Sequence, residues 1–109
     1  TNTEQTDFVA QMEQLCETLF QNARSSLTHE CYESLIGRVM ELKEYDKAEL
    51  WGERCFNQYP ELLASYTLRM KLYFETGCKE KFFVVLDQLR TSSVAVDSKT
   101  LALIRMIQQ

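Results

Sequence analysis

Apolar residues recur along most of this chain at the three- and four-residue spacings of a helix face. Within residues 32–60, Tyr32, Leu35, Ile36 and Val39 stand at i, i+3, i+4 and i+7. After a polar break at Lys43 and Glu44, Ala48, Gly52, Cys55 and Phe56 repeat that spacing, so each set shares one side of a helix. Pro60 ends the second half, because proline disfavours helical geometry in the residue before it. Two amphipathic helices joined by about three residues fold back on each other as a helical hairpin.

The flanks carry the same period. Residues 1–6 are polar and expected to fray. With Asp7 as N-cap, residues 7–27 place Phe8, Met12, Leu15, Cys16, Leu19, Phe20 and Ala23 on one stripe, ending at Ser25 and Ser26. Thr28 caps the next helix, with Glu30 in its first turn. After Pro60 and Glu61 a fourth helix carries Leu62 or Leu63, Tyr66, Met70 and Tyr73, and Gly77 supplies its left-handed stop. A fifth puts Phe82, Val85, Leu86 and Leu89 on one face. Residues 92–96 form a short extended linker, and Asp97 caps a sixth helix carrying Leu101, Leu103, Ile104 and Ile107. The pattern predicts an all-α domain of six helices in three antiparallel hairpins.

Aligning the hairpins shows a period of 34 residues, with Tyr32 on Tyr66, Ile36 on Met70, Ala48 on Phe82 and Gly52 on Leu86. Tyr32, Leu35, Ala48 and Pro60 fall at the spacings of the tetratricopeptide repeat, and Tyr45 opens the second helix as that repeat commonly has it. Ile36, Val39 and Gly52 depart from the pattern. Ala48, Gly52 and Cys55 are small where the next hairpin must come close. Glycine costs about 1 kcal/mol of helix propensity relative to alanine, so Gly52 is expected to sit under close packing from the Tyr66 helix. Over residues 8–107 the chain resembles a narrower, tetratricopeptide-like family, the bacterial transcriptional activator domain. The likeness runs through the turn at Tyr45–Ala48 and the segment WGERCFNQYPELLASYTLRMKLYFETGCKEKFFVVLDQL. It closes on Val94, Thr100, Leu103 and Ile107, with Ser93 where the family has Gly and Val96 where it has Pro. This resemblance implies hairpins stacked as a short right-handed superhelix. It also implies an effector or dimerisation module of a transcription regulator whose DNA-binding part lies elsewhere.

Composition narrows the functional classes. The 109 residues have room for one domain, and three Gly with one Pro argue against a loop-rich β fold. A formal charge of −4 with scattered basic residues disfavours direct nucleic-acid binding. Cys16, Cys31, Cys55 and Cys78 form no CxxC pair and make no zinc set with His29, the one histidine. They read as reduced thiols in a cytoplasmic protein. His29 sits at a helix start, a surface or capping position, and no phosphate loop, HExxH or GxSxG motif is present. No enzyme, cofactor or metal site is expected. The longest apolar run, residues 82–86, is too short to cross a membrane, and no signal peptide opens the chain. Beginning at Thr1, the chain is expected to be one domain, residues 1–109, of a longer protein.

The expected chemistry is therefore binding. The repeat family lines a concave surface with the first helix of each hairpin. That maps Glu33, Gly37 and Met40, then Thr67, Lys71 and Phe74, onto a groove for a protein or peptide partner. Glu33 and Gly37 stand where a carboxylate clamp needs Lys and Asn, so chaperone-tail capture is disfavoured. Met40 and Phe74 are either apolar anchors or packing for the terminal helices. Trp51, at the edge of its stripe, is either half exposed as an interface hot spot or packed in the core. The first and last helices have their apolar sides covered only once, so they can dimerise or dock on a neighbouring domain. A regulatory interaction module is the leading reading, and a tetratricopeptide adaptor in secretion or envelope assembly is the alternative.

Overall fold

A computed structural model describes residues 2–108, and among them every regular element is helical. The helices are α1 (Asn2–Asn22), α2 (His29–Glu41), α3 (Tyr45–Gln58), α4 (Ala64–Thr76), α5 (Lys79–Thr91) and α6 (Ser98–Gln108), with a 3₁₀ turn at Arg24–Ser26. The fraying expected over residues 1–6 is not found at residues 2–6, which form the first turn of α1, and Thr1 lies outside the described residues. Asp7 is not a cap, because α1 already begins at Asn2. No helix among the described residues is long and apolar enough to cross a membrane.

The other boundaries follow local backbone chemistry. The hydroxyl of Thr28 accepts the Cys31 N–H at the start of α2 (3.3 Å). Lys43 takes a left-handed φ of 60° in the turn before α3. After α3 ends at Gln58, the Ser65 hydroxyl donates to the Tyr59 carbonyl and the Tyr66 hydroxyl to the Pro60 carbonyl. These bonds tie up the turn at Pro60 and delay α4 to Ala64, beyond the expected start at Leu62. Gly77 closes α4 at φ 73°, where a side chain would be strained. One carboxylate oxygen of Asp97 accepts both the backbone N–H (2.8 Å) and the hydroxyl (2.6 Å) of Thr100, capping α6 as expected.

The chain divides into two compact units, Thr1–Trp51 and Gly52–Gln109, and the division falls inside α3. In the first unit α1 packs on α2. Its core holds Val9, Cys16, Leu27, Tyr32, Leu35, Ile36, Val39, Ala48 and Trp51. In the second, α5 and α6 both pack on α4, around Tyr66, Met70, Tyr73, Phe82, Val85, Leu86 and Leu89. The stripes expected on α2 and α5 are buried in full.

Two stripes are turned from where the spacing set them. On α1 the residues facing inward are Val9 and Cys16, while Phe8 and Leu15 are exposed. On α6 the inward residues are Thr100 and Ile107, and Leu101 is exposed. Asp97 explains the second case: its two bonds to Thr100 fix the rotation of the first turn and swing Leu101 outward.

Candidate functional site

Trp51 organises the first unit. It is 0% exposed, which corrects the half-exposed alternative. Its ring meets Phe20 edge-on at 6.4 Å and Tyr32 at 6.1 Å. Its indole N–H donates to one carboxylate oxygen of Glu13 (3.1 Å). The other Glu13 oxygen lies 3.1 Å from the ammonium of Lys47, which also pairs with Glu44 at 3.1 Å. Hydrogen bonds to Glu44 first and Glu13 second push the Lys47 amine above its ordinary value. Glu13 thus ties α1 to α3 through a buried donor and a half-exposed cation. Spacing could not reveal this, because Glu13 reads as one more solvated acid on α1. An indole this enclosed offers no surface to a partner.

The groove residues of the sequence reading divide between the units. Glu33, Gly37 and Met40 share one face of α2 by their i, i+4, i+7 spacing and are all partly buried. Glu33 is held by His29, whose Nδ1 lies 2.7 Å from its carboxylate one helical turn away. A methyl added at Gly37 would meet nothing within 4 Å, so this face of α2 has open space. On α4, Thr67 and Lys71 line a groove of about 280 Å³ with Lys99, Leu103 and Met106 of α6. Phe74 is half buried on the same helix and does not line that groove.

The second unit also encloses a cation. Arg69 is only 7% exposed. One guanidinium nitrogen donates to the Gln88 side chain (2.9 Å), and the group lies 5.0 Å from the Phe56 ring centre. Its Nε has no hydrogen-bond partner among the described residues. Gly52 passes directly over its stem, since a methyl there would stand 2.9 Å from Arg69 Cγ. The close approach expected of Gly52 toward the Tyr66 helix is therefore real, and Arg69 is what approaches.

An apolar opening in the first unit lies between α1 and α2. Phe8, Met12, Leu15 and Leu19 stand at i, i+4, i+7 and i+11, one narrow row along α1. Phe8 is 56% and Leu15 62% exposed, and Met12 and Leu19 are half buried. Beside that row a groove of about 420 Å³ is floored by Met12, Leu15, Cys16, Leu19 and Cys31, with Glu30 at its edge. A smaller groove of about 230 Å³ continues along the helix at Phe8, against Arg38 and Leu42. The sequence reading placed these α1 residues on one stripe with Cys16, Phe20 and Ala23, and the row itself is visible in the sequence. What the spacing missed was Val9, which marks the true inward side.

The four cysteines are free thiols. Burial, and after it the neighbouring Cys31 and Glu13, push the Cys16 thiol above its ordinary value, which keeps it protonated and unreactive. Among the described residues no group of three His, Cys, Asp or Glu side chains is placed to hold a metal ion. In comparisons with known proteins, no family model, no curated protein and no solved structure matches the chain.

Proposed function

We propose that this chain is a protein-interaction module that binds through its terminal helices, as the effector or dimerisation part of a transcription regulator whose DNA-binding part is a separate domain. The observation that carries the binding reading is the α1 row Phe8, Met12, Leu15 and Leu19, left open beside an apolar groove. A row with Phe8 and Leu15 exposed and Met12 and Leu19 half buried is costly to keep in water and favourable to cover, the usual property of an interaction surface. The transcriptional role is supported by the resemblance over residues 8–107 and by the acidic balance, which suits a domain that does not itself touch nucleic acid. Three hairpins stacked in the tetratricopeptide manner would leave the outer sides of the first and last helices uncovered in this way.

A photo-crosslinking amino acid at Leu15, and separately at Leu101, tests the reading in cells that express the natural protein. A discrete protein adduct at these positions, absent with the same probe at exposed Lys79, is the expected result. If Leu15 and Leu101 capture no more than Lys79, the terminal helices are not binding surfaces and the proposal fails. A gene with no DNA-binding segment in the same or the captured protein would remove the transcriptional part and leave an adaptor.

A further inference from the structure

We infer that the α1–α2 groove takes the exposed face of α6 from a second copy of this chain, joining copies head to tail. This rests on the terminal helices being binding surfaces, and it names what one of them binds. Charge distribution selects the occupant. The unit Thr1–Trp51 contains ten acidic and four basic residues, a balance of −6, while Gly52–Gln109 contains six acidic and eight basic, a balance of +2. The asymmetry sharpens on the two helices concerned. Helix α1 carries four acids and no basic residue; Glu13 is bound inward to Lys47, and the acids that line the two grooves are Glu4, Glu41 and Glu30, beside Arg38. Helix α6 carries Lys99 and Arg105 with no acidic residue.

Shape and polarity agree with the charge. On the exposed side of α6, Met106, 55% exposed, stands with small Ala102 and Lys99 beside the groove against α4, while Leu101, 45% exposed, lies roughly 140° further round the helix. Lys99 and Arg105 are both exposed. A short helix whose Ala102 and Met106 share one face can lie along an apolar groove, with Lys99 beside them meeting Glu30 at its edge. Eleven residues span only about 16 Å at 1.5 Å per residue, so one such contact buries less area than a stable dimer needs. Association is therefore weak and concentration-dependent. Because the two surfaces differ, each added copy leaves a free groove and a free α6, and growth does not stop at two unless the rotation closes a ring.

Sedimentation velocity of the full chain, from about 10 µM to 1 mM, reads this directly, since weak transient interfaces fall in that range. The expected result is a mean mass that rises with concentration past the dimer. Association should weaken about tenfold between low and high salt as the charges are screened. Leu15→Asp damages only the groove and Met106→Asp only the α6 face. Both side chains are more than half exposed, so helix content measured by circular dichroism should stay unchanged. Each variant alone should remain monomeric. Mixed together, the intact α6 of Leu15→Asp should enter the intact groove of Met106→Asp, giving a dimer and nothing larger. Failure of the mixture to recover, or association that persists in either variant alone, overturns head-to-tail pairing. If the purified chain stays monomeric while Leu15 still captures a different protein in cells, self-pairing falls and the interaction reading stands. If neither occurs, both fall.

Discussion

Gly52 and Gly37 should respond to the same substitution with opposite signs. Both lie inside helices, and replacing a helix-interior glycine by alanine ordinarily stabilises by about 0.5–1 kcal/mol through lost chain freedom in the unfolded state. At Gly37 nothing stands within 4 Å of the new methyl, so Gly37→Ala should keep that whole gain. At Gly52 the methyl would stand 2.9 Å from Arg69 Cγ, closer than packed carbons tolerate. The obstructing atom is not the loose end of a side chain. The Arg69 stem is enclosed, and its guanidinium is fixed by Gln88 and by the Phe56 ring. Overpacking of this kind costs about 1–3 kcal/mol, so the net for Gly52→Ala is a loss of about 1 kcal/mol.

Urea unfolding, followed by helix circular dichroism and Trp51 fluorescence together, gives both values. Arg69→Ala removes the obstruction, so Gly52→Ala in that background should become neutral or stabilising. The coupling across the double-mutant cycle should reach about 1–2 kcal/mol. If Gly52→Ala proves as stable as Gly37→Ala in the native background, then Arg69 yields freely and the close approach has no energetic consequence.

Further outcomes follow from the same contacts. Trp51 fluorescence should be blue-shifted and barely quenched by acrylamide in the folded chain, and ready quenching would contradict the enclosed indole bound to Glu13. Cys31 and Cys78, partly exposed, should react with iodoacetamide before buried Cys16 and Cys55, and early labelling of Cys16 in mass spectra would refute its burial. The raised Cys16 thiol also has a sign: above the ordinary thiol value the unfolded chain ionises while the folded chain keeps its proton, so the Cys16 contribution to stability falls as pH rises there, an effect Cys16→Ala should remove. The Thr100 hydroxyl and then its N–H hold the Asp97 carboxyl below its ordinary value. Its contribution to α6 is therefore present above the ordinary carboxylate range and lost as pH falls through the lowered value. Amide exchange in α6 should quicken there in the native chain and already at neutral pH in Asp97→Ala.

Several helix ends are legible from local side-chain and backbone chemistry, though the start of α4, set by the Ser65 and Tyr66 hydroxyls, is not. Thr28, Pro60, Gly77 and Asp97 act through groups within a few residues, and local chemistry of that range is written in the sequence. The rotation of a helix is decided differently. On α1 apolar residues cover a wide arc, from Leu15 through Phe8, Leu19 and Met12 to Cys16 and Val9, and periodicity alone does not say which edge faces the core. The buried Glu13–Trp51 bond settles it, and that bond joins residues 38 positions apart, beyond the reach of spacing. On α6, hydrophobicity favours Leu101 and the Asp97 cap favours Thr100, and the cap wins because its two bonds fix the first turn. Both misplaced stripes are the ones now exposed on the terminal helices. The residues hardest to place from sequence are thus the candidates for binding, since core and contact surface draw on the same apolar side chains.

Salt provides the sharpest division between the two ways in which this chain can associate with itself. If α1 met α1 across a two-fold axis, each copy would bring Glu4 beside the apolar row and Glu30 at the groove, with no cation from α1 itself. Such a pairing is opposed by like charge, so added salt, with a screening length of about 10 Å at 0.1 M, would strengthen it. Pairing of α1 with α6 sets Glu30 and Glu4 against Lys99 and Arg105, so added salt would weaken it. Apolar burial contributes to both arrangements and has no comparable dependence on moderate salt. The sign of the salt effect therefore reports which helices face each other, independently of any substitution. An association that strengthens from about 50 mM to 500 mM NaCl, where screening becomes nearly complete, would place two acidic faces together and end the head-to-tail proposal.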